Sequence, residues 1–183
     1  TSAAESQFSM LKKLELSNDV YYELLNYCNK KGIKFLSTAF DLESLDFLVN
    51  NLGIDTLKIP SGEITNGPLL LAHAVTGKSL IVSTGMATIE EIEKALSVIA
   101  FGLTGTKVKP SKAAFQLAYH SDSGQQLLRE KVTLLHCTTE YPALPEEINL
   151  RAIETMRDKF GLSVGYSDHS EGITVPIAAA ALG

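Results

Sequence analysis

The amino-acid sequence predicts an α/β fold in which strands and helices alternate, as in a parallel (β/α) barrel. Three observations predict it. Short apolar runs recur along the chain, each followed by a helical segment, at a spacing of roughly 25 residues where nothing intervenes. The runs are nearly continuous in apolar residues, which suits parallel strands buried on both faces. Each of the five runs ends in a cluster of polar, reactive side chains. A barrel builds its site from the carboxyl ends of many strands, whereas an open doubly wound sheet gathers its ligand at one switch point. The five clusters favour the barrel.

The elements follow from local signals. Leu14 to Lys31 reads as one amphipathic helix, capped by Ser17-Asn18-Asp19 and stopped by Gly32. Ile33 to Ser37 reads as a short buried strand. Leu42 to Leu52 is helical, with Asp41 near its start and Gly53 at its end. Thr56 to Ile59 is the next strand, Asn66 to Val75 a helix that Pro68 helps to start, and Leu80 to Ser83 a strand. Thr88 caps a helix over Ile89 to Ala100, with Glu90 and Glu91 in its first turn. The rhythm breaks over about 102–128, which reads as a surface insertion with one helix near Lys112 to Tyr119. It resumes with strand Val132 to His136, helix Glu146 to Lys159, strand Leu162 to Tyr166 and helix Gly172 to Leu182. About five strands are counted, where a closed TIM-type barrel has eight in about 250 residues. The expectation is a single partial barrel domain spanning residues 1–183.

Composition bounds the function. The chain has 183 residues, a net charge of −5 and 45% hydrophobic residues, enough for a core. No basic face argues for nucleic acid as a partner, although a few local donors can still hold an anion. Cys28 and Cys137 form no CxxC pattern, so neither a zinc site nor a redox pair is expected. Free thiols, the lack of a signal-peptide pattern and the lack of a bilayer-length apolar stretch make a cytoplasmic protein, off the membrane, the expectation.

Several residues carry chemistry. Lys58 lies inside an apolar strand, costly unless paired; it either snorkels to water or contacts an anion. Ser61-Gly62-Glu63 and Ser83-Thr84-Gly85 repeat a hydroxyl-rich turn at successive strand ends. Each is either a simple turn or a cradle for phosphate or carboxylate. Glu63 could act as acid, base or hydroxyl acceptor. His169, in the polar loop after Ser167-Asp168, is the better histidine for a metal or for proton transfer; His136 is as readily structural. His73 and His120 read as bland. Tyr141-Pro142 could shape a sugar-binding wall or merely anchor a loop, and Cys137 reads as a small buried residue.

Taken together, Phe35-Leu36-Ser37-Thr38-Ala39-Phe40-Asp41, Lys58-Ile59-Pro60-Ser61-Gly62-Glu63, Ser83-Thr84-Gly85-Met86, Leu135-His136-Cys137-Thr138-Thr139-Glu140-Tyr141-Pro142 and Gly165-Tyr166-Ser167-Asp168-His169-Ser170 resemble the sialic acid synthase family, in its sialate and legionaminate branch. The resemblance implies a (β/α)8 barrel followed by a small antifreeze-like domain, in a domain-swapped homodimer. It implies condensation of phosphoenolpyruvate with N-acetylmannosamine, or a related 2-acetamido sugar, and release of phosphate, with Mn2+ or Mg2+. By resemblance Thr38, Lys58, Ser61, Ser83, Thr139 and Ser167 hold phosphoenolpyruvate, Thr139 standing where some members have Asn. Glu63 and Tyr141 face the sugar, and His169 is one of two metal histidines. The catalytic expectation falls on Glu63, Lys58 and His169. The family's second metal histidine and the antifreeze-like domain find no match in these residues, so a fragment with little activity alone is expected. The alternatives are another phosphoenolpyruvate-dependent synthase of 3-deoxy sugar acids and a non-catalytic phosphoenolpyruvate- or sugar-binding module.

Overall fold

The computed structural model describes residues 6–183, which fall into two units divided after Phe35. In the first, the helix predicted over Leu14 to Lys31 begins later, at Asn18, and a further helix that was not predicted precedes it. Helix α1 (Gln7–Leu14) starts where the Ser6 side chain accepts from the Ser9 N–H, and α2 (Asn18–Lys31) follows Ser17. Gly32 ends α2 with φ 68°, and its N–H reaches the Cys28 and Asn29 carbonyls. Ile33 to Ser37, predicted as a strand, pairs with nothing regular among the described residues.

The second unit is built on one four-stranded parallel sheet in the order β1-β2-β3-β4. The strands are β1 (Thr56–Ile59), β2 (Ser79–Ser83), β3 (Val132–Cys137) and β4 (Ser163–Ser167). Among the described residues four strands therefore stand where about five were counted. The fifth is reduced to a single parallel bridge between Thr38 and Lys58, because an apolar run becomes a strand only when a neighbour supplies a full ladder of backbone partners. Consecutive strands are adjacent, so the order holds no reversal and no switch point of the doubly wound kind.

Helices join the strands. Asp41 caps α3 (Leu42–Asp46) by accepting from the Ser44 N–H at 2.7 Å, and the chain continues in a wider π-type turn over Phe47–Asn51. Helix α4 (Gly67–Val75) joins β1 to β2, with Asn66 as cap and Pro68 in the first turn. Helix α5 (Ile89–Leu103) opens with a capping box between Thr88 and Glu91. The stretch predicted as a surface insertion holds two helices, α6 (Lys112–His120) and α7 (Asp122–Lys131). Their inner residues Ala114, Ala118 and Leu128 are buried, and Phe115 meets Phe101 of α5 edge-to-face with ring centroids 5.0 Å apart. Helices α8 (Arg151–Phe160) and α9 (Thr174–Ala181) flank β4.

The strands are not buried on both faces, as had been expected. Leu57, Ile59, Leu80, Val82, Val132, Leu134 and Val164 are buried, whereas alternate residues such as Lys58, Ile81, Thr133 and Leu135 are only half-buried. One side of the sheet thus carries the core under the helices.

Two packing details are open to measurement. His73 of α4 is fully buried; its Nδ1 lies 2.9 Å from the Leu69 carbonyl and its Nε2 has no partner. Burial holds its pKa below the ordinary histidine value. Between the unfolded value near 6.5 and that lower native one, the unfolded chain binds more protons, so stability rises with pH there. We expect the melting temperature to drop as pH falls from about 7.5 through 6.5, and His73→Leu to flatten that slope; a slope unchanged in H73L would exclude the account. Gly102 of α5 is the second detail. A Cβ there would come 2.5 Å from the Ala74 Cβ. Gly102→Ala is expected to destabilise the fold by about 1–3 kcal/mol, read as a lower urea midpoint.

Candidate active site at the strand ends

The register sets the site. Ser83 pairs with Leu135, Leu135 with Gly165, and Cys137 with Ser167, so the carboxyl ends of β2, β3 and β4 lie side by side. β1 joins through Lys58↔Ile81, and Lys58 also bridges Thr38. After β1 the chain makes a tight turn, Ser61–Glu63, which brings Ser61 back over the strand ends. There Ser61 Oγ accepts from the Gly85 N–H at 2.9 Å and lies 3.1 Å from Cys137 Sγ. Gly85 is needed for this approach, since a Cβ would lie 2.7 Å from Thr139 Cγ2 and 2.9 Å from Ser61 Oγ.

A pocket of about 280 Å³ opens over these ends, lined by Lys58, Ser61, Ser83, Thr139, Tyr141, Ser167 and His169 with Pro60, Gly62, Met86 and Cys137. Seven predicted residues therefore meet in one cavity. Two do not line it. Glu63 sits one residue beyond Gly62 with its carboxylate accepting from the Asn66 side chain at 2.7 Å. Thr38 stays beside Lys58 as its bridge partner. A larger groove, about 490 Å³, follows one face of α2, but no convergent polar chemistry meets there, so the strand-end pocket is the functional candidate.

The pocket's polar groups are poorly served by the protein itself. Ser83 is 4% exposed and its hydroxyl has no hydrogen-bond partner. Lys58 is half-buried and forms no ion pair among the described residues. Such groups are costly to leave unmet, and an anion would satisfy both. The Tyr141 ring stacks on His169 with centroids 4.3 Å apart. The His169 carbonyl accepts from the Ala143 N–H at 2.8 Å, joining the loops after β3 and β4. His169 Nε2 lies 3.3 Å from Ser167 Oγ, and its Nδ1 is buried without a partner. Asp168 is turned to its own loop; hydrogen bonds from the Ser170 hydroxyl and N–H hold its carboxyl below the usual range. His136 is structural. Its Nε2 is bonded to the Ile148 carbonyl, and its ring lies beside Tyr166, whose phenol burial pushes up.

His169 offers one free nitrogen to a metal. Among the described residues, no group of three or more His, Cys, Asp or Glu side chains could hold one. The residues present supply one donor and not a coordination sphere.

Sequence reasoning missed Cys137, Met86 and Pro60 as lining, whereas Gly62 lies in the turn it had read as a possible anion cradle. Cys137 is buried, as predicted, but it faces the pocket through Ser61. Its place at the end of an apolar strand was the available signal. Met86 adopts φ 64°, which no local motif foretold.

A parallel α/β sheet whose strand ends converge on an anion-ready pocket defines a class of small-molecule sites. Within that class the chain belongs to the NeuB family, whose pattern matches residues 1–183. It is 47% identical over its full length to the N,N'-diacetyllegionaminic acid synthase of Campylobacter jejuni subsp. jejuni serotype O:2, covering 48% of that protein. It is 31% identical over 173 residues to the human N-acetylneuraminate-9-phosphate synthase, 94% of this chain and 41% of that one. Among solved structures, the N-acetylneuraminic acid synthetase of Leptospira borgpetersenii serovar Hardjo-bovis, crystallised with citrate, superposes with a TM-score of 0.77 at 32% identity. The match covers 99% of this chain and 55% of that one. A truncated 3-deoxy-D-arabino-heptulosonate 7-phosphate synthase from Thermotoga maritima shares the fold at 19% identity and a TM-score of 0.63, over 92% of this chain and 58% of that one. The chain spans about half the length of the curated relatives it matches. Among the described residues no helix is long and apolar enough to cross a membrane.

An orphaned buried hydroxyl costs about 1–3 kcal/mol. Ser83→Ala should therefore leave the ligand-free protein equally stable or up to about 1 kcal/mol more stable. A loss of stability in urea titration would show that Ser83 already has a partner.

Proposed function

We propose that this chain carries the phosphoenolpyruvate-binding part of a sialic-acid-type synthase. In the reaction, phosphoenolpyruvate, a 2-acetamido sugar such as N-acetylmannosamine and water give a nonulosonate and phosphate. The observation that carries this reading is the convergence of an unpaired Lys58 with the hydroxyls of Ser61, Ser83, Thr139 and Ser167 in one pocket, Ser83 being buried without a partner. Phosphoenolpyruvate presents a carboxylate and a phosphate, both strong acceptors for such donors. The family membership and the names of its relatives support the same choice.

The chemistry follows from charge. The enol carbon attacks the aldehyde of the open-chain sugar, and water adds at the phosphate-bearing carbon. The tetrahedral intermediate then expels phosphate. Lys58 and the hydroxyls would hold the anion in place and offset the charge that collects on the leaving phosphate. Tyr141, 75% exposed at the rim, offers a ring face to the sugar. Glu63, beside the pocket on the Ser61 turn, would move protons at the sugar or the water once released from Asn66. A divalent cation, Mn2+ or Mg2+, would supply Lewis acidity toward the aldehyde oxygen, with His169 as its donor from this chain.

Calorimetry tests the reading. The chain should bind phosphoenolpyruvate, and both Lys58→Ala and Ser83→Ala should weaken binding by roughly ten- to hundredfold, the range for hydrogen bonds to charged groups. Phosphate release with an acetamido sugar should be slow for this chain and faster for a protein of the relatives' full length. Absence of phosphoenolpyruvate binding would overturn the assignment.

A further inference from the structure

Cys137 lines the pocket, yet the anion chemistry gives it no task. Its thiol is buried and sits 3.1 Å from Ser61 Oγ, which already accepts from the Gly85 N–H at 2.9 Å. A hydroxyl oxygen has two acceptor sites and one hydrogen. Gly85 fills one acceptor site. With the cysteine hydrogen in the other, the Ser61 hydrogen is left to be donated elsewhere. Its nearest alternative in the protein is the sulfur itself, a weak acceptor. A carboxylate or phosphate oxygen is a far stronger one.

We propose that Cys137 is a positioning residue: its S–H donates to Ser61 Oγ and thereby aims the Ser61 hydroxyl hydrogen at an anion in the pocket. The inference rests on the anion-site reading. The surroundings hold the thiol to this task. A Cβ on Gly85 would lie 2.7 Å from Thr139 Cγ2, 2.9 Å from Ser61 Oγ and 3.0 Å from Cys137 Sγ, so these side chains close on the Gly85 backbone. The register pairs Cys137 with Ser167, which fixes the thiol on a strand rather than a loop. A second, independent feature marks the same pocket as built for a ligand: the Ser83 hydroxyl, 4% exposed and without a partner.

Two measurements test the proposal, both on variants first checked by circular dichroism for an intact fold. Infrared spectra of the ligand-free Cys28→Ser protein isolate the Cys137 thiol. Its stretch should lie at lower frequency than that of a free thiol and should rise when Ser61→Ala is added. A free-thiol band that S61A leaves unmoved overturns the proposal. Calorimetry with phosphoenolpyruvate supplies the second test. Cys137→Ala should weaken binding about five- to tenfold, Cys137→Ser should recover most of that loss, and C137A should cost nothing further in the S61A background. An equal loss in that background, or C137S failing as badly as C137A, makes the thiol a packing residue and overturns the proposal. Uptake of inorganic phosphate but not phosphoenolpyruvate would sink the substrate assignment alone, with the same cycle then deciding on phosphate. Uptake of neither ends both.

Discussion

Leu80 and Val82 of β2 are buried, as are Val132 and Leu134 of β3 and Val164 of β4. A strand that slipped by one residue would turn this set toward the half-exposed face and bring polar neighbours into the core. Hydrophobic burial therefore fixes the parallel register, and the register decides which strand residues stand together at the carboxyl ends. Cys137 stands opposite Ser167, and Ser83 opposite Leu135 two residues earlier, because Leu80, Val132 and their partners hold the strands in phase. The core and the site are two outcomes of one constraint, read from opposite ends of the same strands.

The site in turn works against the core's economy. A buried hydroxyl without a partner, a half-buried lysine without a carboxylate and a buried imidazole nitrogen left unpaired all raise the energy of the ligand-free chain. Proteins keep such groups where a ligand satisfies them. The stacking of Tyr141 on His169 and the Ala143 bond to the His169 carbonyl have a different role. They tie the loops after β3 and β4 together, which holds Tyr141 and His169 against each other at the pocket.

Much of this was legible because the signals were local. The caps at Asp41, Asn66 and Thr88, the apolar cores of β1 to β4 and the polar strand ends all lie in short stretches of sequence. What was not legible depended on distant partners. Ile33 to Ser37 has the composition of a strand but only the Thr38 bridge beside it. Residues 102–128 read as a surface insertion, yet within them Ser121 caps α7 and a Cβ on Gly124 would lie 1.9 Å from the Ala118 carbonyl oxygen. That glycine is there for the close crossing of α6 and α7, which no single-sequence rule reveals. Glu63 shares the motif of Ser61 but not its direction, since Asn66 one turn later captures its carboxylate. Cys137 was judged by its burial, and only the geometry shows its sulfur against a pocket hydroxyl.

Helix α7 ends at Lys131 and β3 begins at Val132, with no residue between them. The backbone changes from a period of 3.6 to a period of 2 across one peptide bond. An added or lost residue at that seam has nowhere to go: it would rotate β3 by half its repeat and exchange Val132 and Leu134 for Thr133 and Leu135 on the core side. Length variation in this crossover must instead be taken up in the exposed stretch 105–111, ahead of α6. The joint thus acts as a ruler, transmitting the phase of an outer helix to the residues that frame the pocket.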